Sequence, residues 1–127
     1  MSETLKIALV DDQNLCRMGL CELLSHGYGF EVLGAVGNIE GLRKLIELDP
    51  DIIVMDLRMK PLDGIAMLEQ IRSEGCTVPT VILTMSDSET DLSNAIKAGA
   101  RGFLLKDMAP EDVVDAIRRV AAGEMVV

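Results

Sequence analysis

Five short aliphatic runs alternate with stretches of helical periodicity, and this alternation constrains the fold more than any other feature of the chain. The runs are LKIALV (5–10), FEVLGAV (30–36), DIIVMD (51–56), TVILTM (80–85) and GFLLK (102–106). Most of them are continuously apolar, which is typical of parallel strands that are covered on both faces. They predict five strands of one parallel sheet.

Between and after these runs, apolar residues recur at the three- and four-residue intervals of amphipathic helices. The periodicity predicts five helices, around Leu15–Leu24, Leu42–Leu48, Ile65–Ile71, Leu92–Ala98 and Val113–Val120. Asp63 and Ser88 have the side chains of N-caps, and Pro110 suits the first turn of a helix. Helix starts are therefore expected at these three positions.

Strands that alternate with helices form right-handed βαβ units and a three-layer α/β sandwich. The 127 residues contain no linker, repeat or low-complexity tract, and 49% of them are hydrophobic, which is sufficient for one core. We therefore predict one α/β domain, a five-stranded parallel sheet of order 2-1-3-4-5 flanked by five helices.

Composition excludes several classes of function. Twenty-one acidic residues against twelve basic ones give a net charge of −9, which argues against nucleic-acid binding by this domain itself. The three cysteines have no metal-ligand spacing, and a single histidine, His26, leaves no basis for a multi-histidine metal site. No apolar run is long enough to span a membrane or to form a signal peptide, so we expect a cytoplasmic protein.

Charged and polar side chains follow the predicted strands where each strand ends. Asp11 and Asp12 follow the first strand, Asp56 closes the third, Thr84 lies near the end of the fourth and Lys106 closes the fifth. In a doubly wound sheet the carboxyl ends of the strands share one edge, where ligands bind. We expect these five side chains to line one crevice.

Three carboxylates in one crevice need positive charge, and Lys106 supplies only one unit. A hard divalent cation with oxygen ligands, such as Mg²⁺, would supply two more. A carboxylate can also accept a phosphoryl group and become an acyl phosphate. The residues therefore indicate that Asp11 and Asp12 hold a metal that serves chemistry at Asp56.

In these features the sequence resembles the receiver domains of two-component response regulators, which have the flavodoxin-like, CheY-like fold. The matching segments are VDD (10–12), VMDLRMKPLDG (54–64), LTM (83–85) and GFLLKD (102–107), each at the end of its own predicted strand. The resemblance implies that Asp56 is the phosphoacceptor and receives its phosphoryl group from a sensor histidine kinase. It also implies Mg²⁺ bound by Asp11, Asp12, Asp56 and the backbone carbonyl of Arg58.

The same resemblance assigns the remaining site residues. Thr84 would be the switch hydroxyl, Lys106 would pair with the phosphoryl group, and Phe103 would change rotamer together with Thr84. Such a domain is a signalling switch that assists its own phosphorylation and dephosphorylation rather than an enzyme. Met85 stands where many members have a small residue, and we predict that it slows phosphoryl exchange by screening the acceptor.

The segment LLKDMAPEDVVDAIRRVAAGE (104–124) resembles the NarL/FixJ group, whose receivers usually precede a LuxR-type helix-turn-helix domain. We expect residues 1–127 to form a single receiver domain, the N-terminal part of a longer transcription regulator whose DNA-binding domain is absent. DNA would be contacted only through that domain, and phosphorylation would favour a homodimer. A stand-alone receiver is the alternative.

Other interpretations stay open at this point. A Mg²⁺-dependent phosphatase with Asp56 as nucleophile commonly has a second acid where Arg58 stands. A flavodoxin-like electron carrier needs a phosphate loop where the sequence reads DDQNL (11–15). A receiver-like binding module that is never phosphorylated is the third alternative. A purely structural interpretation is also open: Asp11 and Asp12 would only interact favourably with the dipole of the following helix, and Thr84 and Phe103 would be ordinary sheet residues.

Overall fold

Five parallel strands and four helices are found in the part of the chain that the computed structural model describes, residues 4–11, 22, 24, 29–58, 63–85 and 88–127. The strands are β1 (Leu5–Val10), β2 (Phe30–Val36), β3 (Ile52–Asp56), β4 (Thr80–Thr84) and β5 (Gly102–Leu105). The helices are α1 (Ile39–Ile46), α2 (Gly64–Ser73), α3 (Glu89–Ala98) and α4 (Pro110–Ala121).

The predicted count of five helices is not met by these described residues, which contain four. The missing one is the first predicted helix, Leu15–Leu24, of which most lies outside the described residues. Glu22 and Leu24, the two described positions within that range, are helical. The other four predicted helices are present.

The sheet has the order β2-β1-β3-β4-β5, and every neighbouring pair is parallel, as predicted. In the registers, Val10 pairs with Met55, Asp56 with Leu83, and Thr84 with Leu105. The last residues of the central strands therefore lie side by side, and the loops that follow them meet at one edge.

Three predicted strands are one residue too long at a polar or exposed end, because Asp51, Met85 and Lys106 fall outside β3, β4 and β5. Asp51 lies at the opposite edge, where its carboxylate accepts a hydrogen bond from the Lys6 N–H at 2.8 Å. It joins β3 to β1 without extending the strand.

The continuous hydrophobicity of the strands comes from burial on both faces of the sheet. Within β3, Ile53 and Met55 belong to one buried cluster, whereas Ile52 and Val54 belong to the cluster on the other face. α1, α2 and α3 cover the first face and α4 covers the second. This two-sided burial confirms the three-layer prediction.

The predicted helix starts are confirmed. The Asp63 carboxylate accepts a hydrogen bond from Ala66 N–H at 2.8 Å, Ser88 Oγ accepts one from Asp91 N–H at 3.3 Å, and Pro110 opens α4. Asn38 caps α1 in the same way and was not predicted. Among the described residues, no helix has both the length and the apolar content that crossing a membrane would require.

Candidate functional site

Asp56 is the last residue of β3, at the middle of the sheet's carboxyl edge, and its side chain is 4% exposed. One carboxylate oxygen, Oδ1, lies 3.1 Å from Nζ of Lys106. The other, Oδ2, is buried and has no hydrogen-bond partner among the described residues. An unpaired buried oxygen on a carboxylate is costly, so this atom is a candidate for contact with a ligand.

Asp11 lies beside Asp56 because β1 and β3 are neighbours in the sheet. Its N–H donates to Val36 O at 2.9 Å, which fixes the first residue of the loop after β1. The Asp11 side chain is 4% exposed, and its Oδ2 lies 3.9 Å from Lys106 Nζ. That distance is too long for a hydrogen bond, so the attraction between these two groups is chiefly electrostatic.

Lys106 follows β5 directly and carries the positive charge of the site. Its N–H donates to Thr84 O at 2.8 Å, which holds the backbone at the edge of the sheet. Its side chain is 19% exposed, and its ammonium group serves both Asp56 and Asp11. Two buried carboxylates thus share one cation, and the described part of the site has an excess negative charge.

Thr84 lies on β4, the strand next to that of Asp56, and Phe103 lies on β5, one strand further along the sheet. Thr84, the last residue of β4, is fully buried next to the pair formed by Asp56 and Leu83. Phe103 is half-buried on β5 and packs against the cluster on the α1–α3 face of the sheet. Both positions suit the predicted switch roles, which stay predictions.

The two other predicted metal ligands are Asp12 and the backbone carbonyl of Arg58. Asp12 lies outside the described residues. Arg58 is two residues beyond Asp56, and its side chain, 64% exposed, forms an ion pair of 2.9 Å with Asp91 in the first turn of α3. This pair, which links the loop after β3 to α3, was missed because nothing in the sequence signals a contact between residues 33 positions apart.

Gly64 sets how closely α2 approaches the acceptor strand. Its N–H donates to Leu57 O at 2.8 Å, and a Cβ at this position would collide with the backbone carbonyl oxygen of Asp56. Gly64 therefore permits a close approach of backbone to backbone. A glycine immediately after an N-cap, where alanine is the better helix former, was the available signal.

Met85 lies next to Thr84, just beyond β4, and its side chain is 75% exposed. Since most of its surface faces solvent, little of the thioether is in contact with the site, and the burial of Asp56 depends on other groups. The slower phosphoryl exchange predicted for Met85 therefore gains no support from its position.

A groove among the described residues lies away from this edge. It has a volume of about 320 Å³ and is lined by Arg43, Ile46, Ile71, Glu74, Gly75 and Cys76. None of the predicted site residues lines it. The chemistry of the carboxylates, rather than the size of a cavity, therefore marks the functional site.

The residues at the edge of the sheet fit a hard divalent cation. No set of three metal-ligating side chains occurs among the described residues, since Asp11 and Asp56 are only two. Nevertheless, the excess negative charge and the unpaired Asp56 Oδ2 call for a cation bound through oxygen. Carboxylate oxygens are the ligands that Mg²⁺ prefers.

A comparison with known families matches residues 7–118 to the response regulator receiver domain. The chain belongs to this family. Receiver domains are signalling switches that generally bind Mg²⁺ at their phosphorylation site and act with sensor histidine kinases. The predicted family and the predicted sheet order are thereby confirmed.

Individual relatives are regulators of the NarL group. This receiver domain is 39% identical over 127 residues to a nitrate/nitrite response regulator protein homolog of Haemophilus influenzae, covering 99% of the chain and 61% of that relative. It is 39% identical over 125 residues to the nitrate/nitrite response regulator protein NarL of Escherichia coli, covering 98% of the chain and 58% of NarL. The chain thus spans about three fifths of these relatives.

Solved structures agree with the fold. The crystal structure of a LuxR-family two-component response regulator from Aurantimonas matches this receiver domain with a TM-score of 0.91 and 32% identity. The match covers 98% of this chain and 90% of that chain. The similarity therefore extends over nearly the whole receiver domain.

Proposed function

We propose that Asp56 accepts a phosphoryl group from a sensor histidine kinase and that the acyl phosphate switches the output of a NarL-type regulator. The observation that carries this proposal is the state of the Asp56 carboxylate. The carboxylate is buried at the carboxyl edge of the sheet. One of its oxygens contacts Lys106, and the other has no hydrogen-bond partner among the described residues. The unpaired oxygen is the nucleophile.

In the transfer, a lone pair of Asp56 Oδ2 forms a bond to phosphorus while the bond from phosphorus to the donor nitrogen breaks. The bonding electron pair leaves with the histidine imidazole of the kinase, which then takes a proton. Lys106, 3.1 Å from Oδ1, stabilises the negative charge that accumulates on the carboxylate and the phosphoryl oxygens. Catalysis here is positioning and charge stabilisation.

Asp11, Asp12, Asp56 and the backbone carbonyl of Arg58 would hold Mg²⁺. When bound, the ion neutralises the crowded carboxylates and the charge of the transferring group. Asp11 follows β1 and Asp56 ends the adjacent β3. Because both residues are buried, bulk water has little access to their carboxylates. The domain thereby assists its own phosphorylation and dephosphorylation.

Thr84 and Phe103 would carry the change away from Asp56. Thr84 would turn its hydroxyl toward the phosphoryl oxygens, and Phe103 would change rotamer in the space that becomes available. Thr84 ends β4, which pairs with the strand of Asp56, and Phe103 lies on β5, which pairs with β4. These positions support the assignment. Phosphorylation then biases an equilibrium between two arrangements of the face formed by α3, β5 and α4.

The output of the switch is transcription regulation. Residues 1–127 are the single receiver domain and N-terminal part of a longer cytoplasmic regulator, whose helix-turn-helix domain makes the contacts with DNA. The regulator forms a homodimer when it is phosphorylated. Support comes from the relatives, which are longer than this chain and are response regulators.

Intact mass spectrometry tests the acceptor. The protein is incubated with acetyl phosphate and Mg²⁺, beside Asp56→Asn and the control Asp107→Asn, which removes an exposed carboxylate next to Lys106. We expect one phosphoryl adduct in the native protein and in Asp107→Asn, its loss with EDTA, and no adduct in Asp56→Asn. An equal adduct in Asp56→Asn, or none with either acetyl phosphate or a histidine kinase, contradicts the proposal and favours a phosphatase or a binding module.

The role of Lys106 is tested by Lys106→Met, with Lys44→Met on the exposed side of α1 as a matched control. Loss of a group that stabilises transition-state charge slows reactions on the order of a hundredfold. We expect that slowing in the rate of adduct formation for Lys106→Met and an unchanged rate for Lys44→Met. Equal rates in the two variants would remove Lys106 from the mechanism.

A further inference from the structure

The chain beyond α4 returns to the sheet and pairs with the outer edge of β5. After a turn at Gly123, which has a φ of +103°, Val126 forms a parallel bridge with Gly102. Val126 N–H donates to Arg101 O at 2.9 Å, and Phe103 N–H donates to Val126 O at 3.0 Å. Residues 124–127, here called the tail strand, therefore add one isolated parallel bridge to the edge of β5, outside the five strands of the sheet.

Side chains hold the tail strand in this register. Arg119 forms an ion pair of 3.1 Å with Glu124, and Val126 packs against the core cluster on the α4 face. Its neighbours are different, because Met125 is 48% exposed and Val127 is 67% exposed. Two backbone hydrogen bonds and one half-buried valine thus carry most of the docking, so the tail strand belongs to the least stable parts of the domain.

β5 links the tail strand to the phosphorylation site. This strand has four residues and only β4 as its other neighbour. Lys106 follows it directly and contacts Asp56, while Phe103, three positions earlier, donates to the tail strand. A shift at the carboxyl end of β5 therefore reaches, three residues earlier in the same strand, the hydrogen bonds that dock Val126.

We propose that the tail strand is a conformational reporter of the site, docked on β5 when Asp56 is free and released when Asp56 is phosphorylated. The inference rests on the proposed function and adds the route by which the signal leaves the domain. A phosphoryl group on Oδ2 places anionic oxygens beside Lys106, and the ammonium, which lies 3.1 Å from Oδ1 before the reaction, shifts toward them. The end of β5 moves with Lys106, and the register with Val126 is lost.

Because coupling between two sites is reciprocal, a tail strand that cannot dock must also favour the phosphorylated state. Couplings of this kind change an equilibrium by about fivefold or more. Two valines provide a matched pair of variants. Val126→Gly and Val127→Gly add the same backbone freedom, yet only Val126 packs against the core.

The test combines hydrogen exchange with intact mass on the whole chain, before and after incubation with acetyl phosphate and Mg²⁺. Once the adduct is present, we expect amide exchange at Phe103 and Val126 to accelerate at least about fivefold, while Ile53 in β3 stays protected. In Val126→Gly both amides should exchange fast without the adduct, and the adduct should outlast that of Val127→Gly by a similar factor.

The outcomes separate the two claims. An adduct on Asp56 with unchanged exchange at Phe103 and Val126 overturns the tail-strand inference and leaves the proposed function intact. Equal adduct lifetimes in Val126→Gly and Val127→Gly do the same, because a purely structural tail would have no reciprocal effect. Absence of any adduct in the native protein overturns the proposed function, and the inference falls with it.

Discussion

The two ends of β4 lie beside charged side chains that differ in their hydrogen bonding, the partly buried Arg72 at one end and the buried Asp56 at the other. At the amino end, the guanidinium of Arg72 donates to Cys76 O at 3.1 Å, to Thr80 Oγ1 at 3.3 Å and to Gly99 O at 3.3 Å. Burial lowers the pKa of Arg72. The three acceptors are neutral, and each is hydrogen-bonded to the guanidinium. One cation ties together α2, β4 and the end of α3.

At the carboxyl end the balance is reversed. Asp11 and Asp56 are both nearly fully buried, and Lys106 is the one cation that contacts them among the described residues. Asp56 Oδ2 has no hydrogen-bond partner in the same part of the chain. Among the residues that the structure describes, this end therefore retains one buried oxygen that a ligand could contact.

Charge balance and hydrogen bonding therefore distinguish the structural cluster around Arg72 from the functional cluster around Asp56. Buried polar groups in stable clusters are satisfied, whereas sites retain unsatisfied groups at a cost in stability. Changes at the Arg72 end should therefore lower stability, and changes that relieve the Asp56 end should raise it.

The largest effect is expected from Mg²⁺. Binding to the folded state alone should raise the free energy of unfolding by about 2.7 kcal/mol at a hundredfold excess over Kd. Denaturant unfolding with and without Mg²⁺ measures this shift. The same addition should have much less effect on Asp56→Asn, and equal stabilisation of both proteins would place the ion elsewhere.

Arg72→Met sharpens the comparison from the other end. Loss of the guanidinium leaves partly buried acceptors without this donor, and we expect the free energy of unfolding to fall by about 2 kcal/mol. Urea unfolding measures the change as a lower midpoint with an unchanged m-value. Arg43→Met, which removes an exposed arginine from its surface pair with Glu74, should have a clearly smaller effect. Equal effects would mean that the Arg72 cluster is not special.

Asp56→Asn should stabilise the protein in the absence of Mg²⁺, although it abolishes the proposed chemistry. Removing one of the two buried carboxylates that contact Lys106 relieves like-charge repulsion, for a gain of about 1 kcal/mol. Thermal unfolding of the two proteins without divalent ions tests the sign. A lower stability of Asp56→Asn would indicate that the site is already balanced.

The smallest effect belongs to the surface pair of Arg43 and Glu74, which serves as a solvated reference. The hydrogen bond from Arg43, with help from Gln70, lowers the pKa of Glu74 from 4.5 to about 2. The stabilisation is therefore complete above pH 4.5 and is lost as the pH falls through 2. Unfolding of the native protein and of Glu74→Gln from pH 6 to 2 should give a difference that shrinks with acidification, and a constant difference would contradict it.

The sheet and most of the site could be predicted because both follow from local pattern. Continuous aliphatic runs require burial on two faces, and parallel strands bring their carboxyl ends together. The meeting of Asp11, Asp56 and Lys106 follows from those two facts. The roles of Thr84 and Phe103 depended on family resemblance, since threonine and phenylalanine are ordinary residues of any sheet.

Apart from the local Asn38 cap, the contacts that were missed join residues far apart in the sequence. Arg58 reaches Asp91, Arg72 reaches Gly99, and Val126 pairs with Gly102. Each depends on the distance between packed elements, and no periodicity encodes that distance. Gly64 differs from these contacts, because glycine is a poor helix former and its position in the first turn of a predicted helix can be seen in the sequence.

Residue-level mapping of the acyl phosphate tests the central claim most directly. Hydride reduction with borohydride converts a phosphorylated aspartate to homoserine and releases phosphate, and peptide mass analysis then locates the changed residue. The account predicts homoserine at position 56 only, and only after incubation with a phosphodonor and Mg²⁺. Homoserine at Asp11 or Asp12 instead, with Asp56 unmodified, would contradict the assignment of Asp56 as the acceptor.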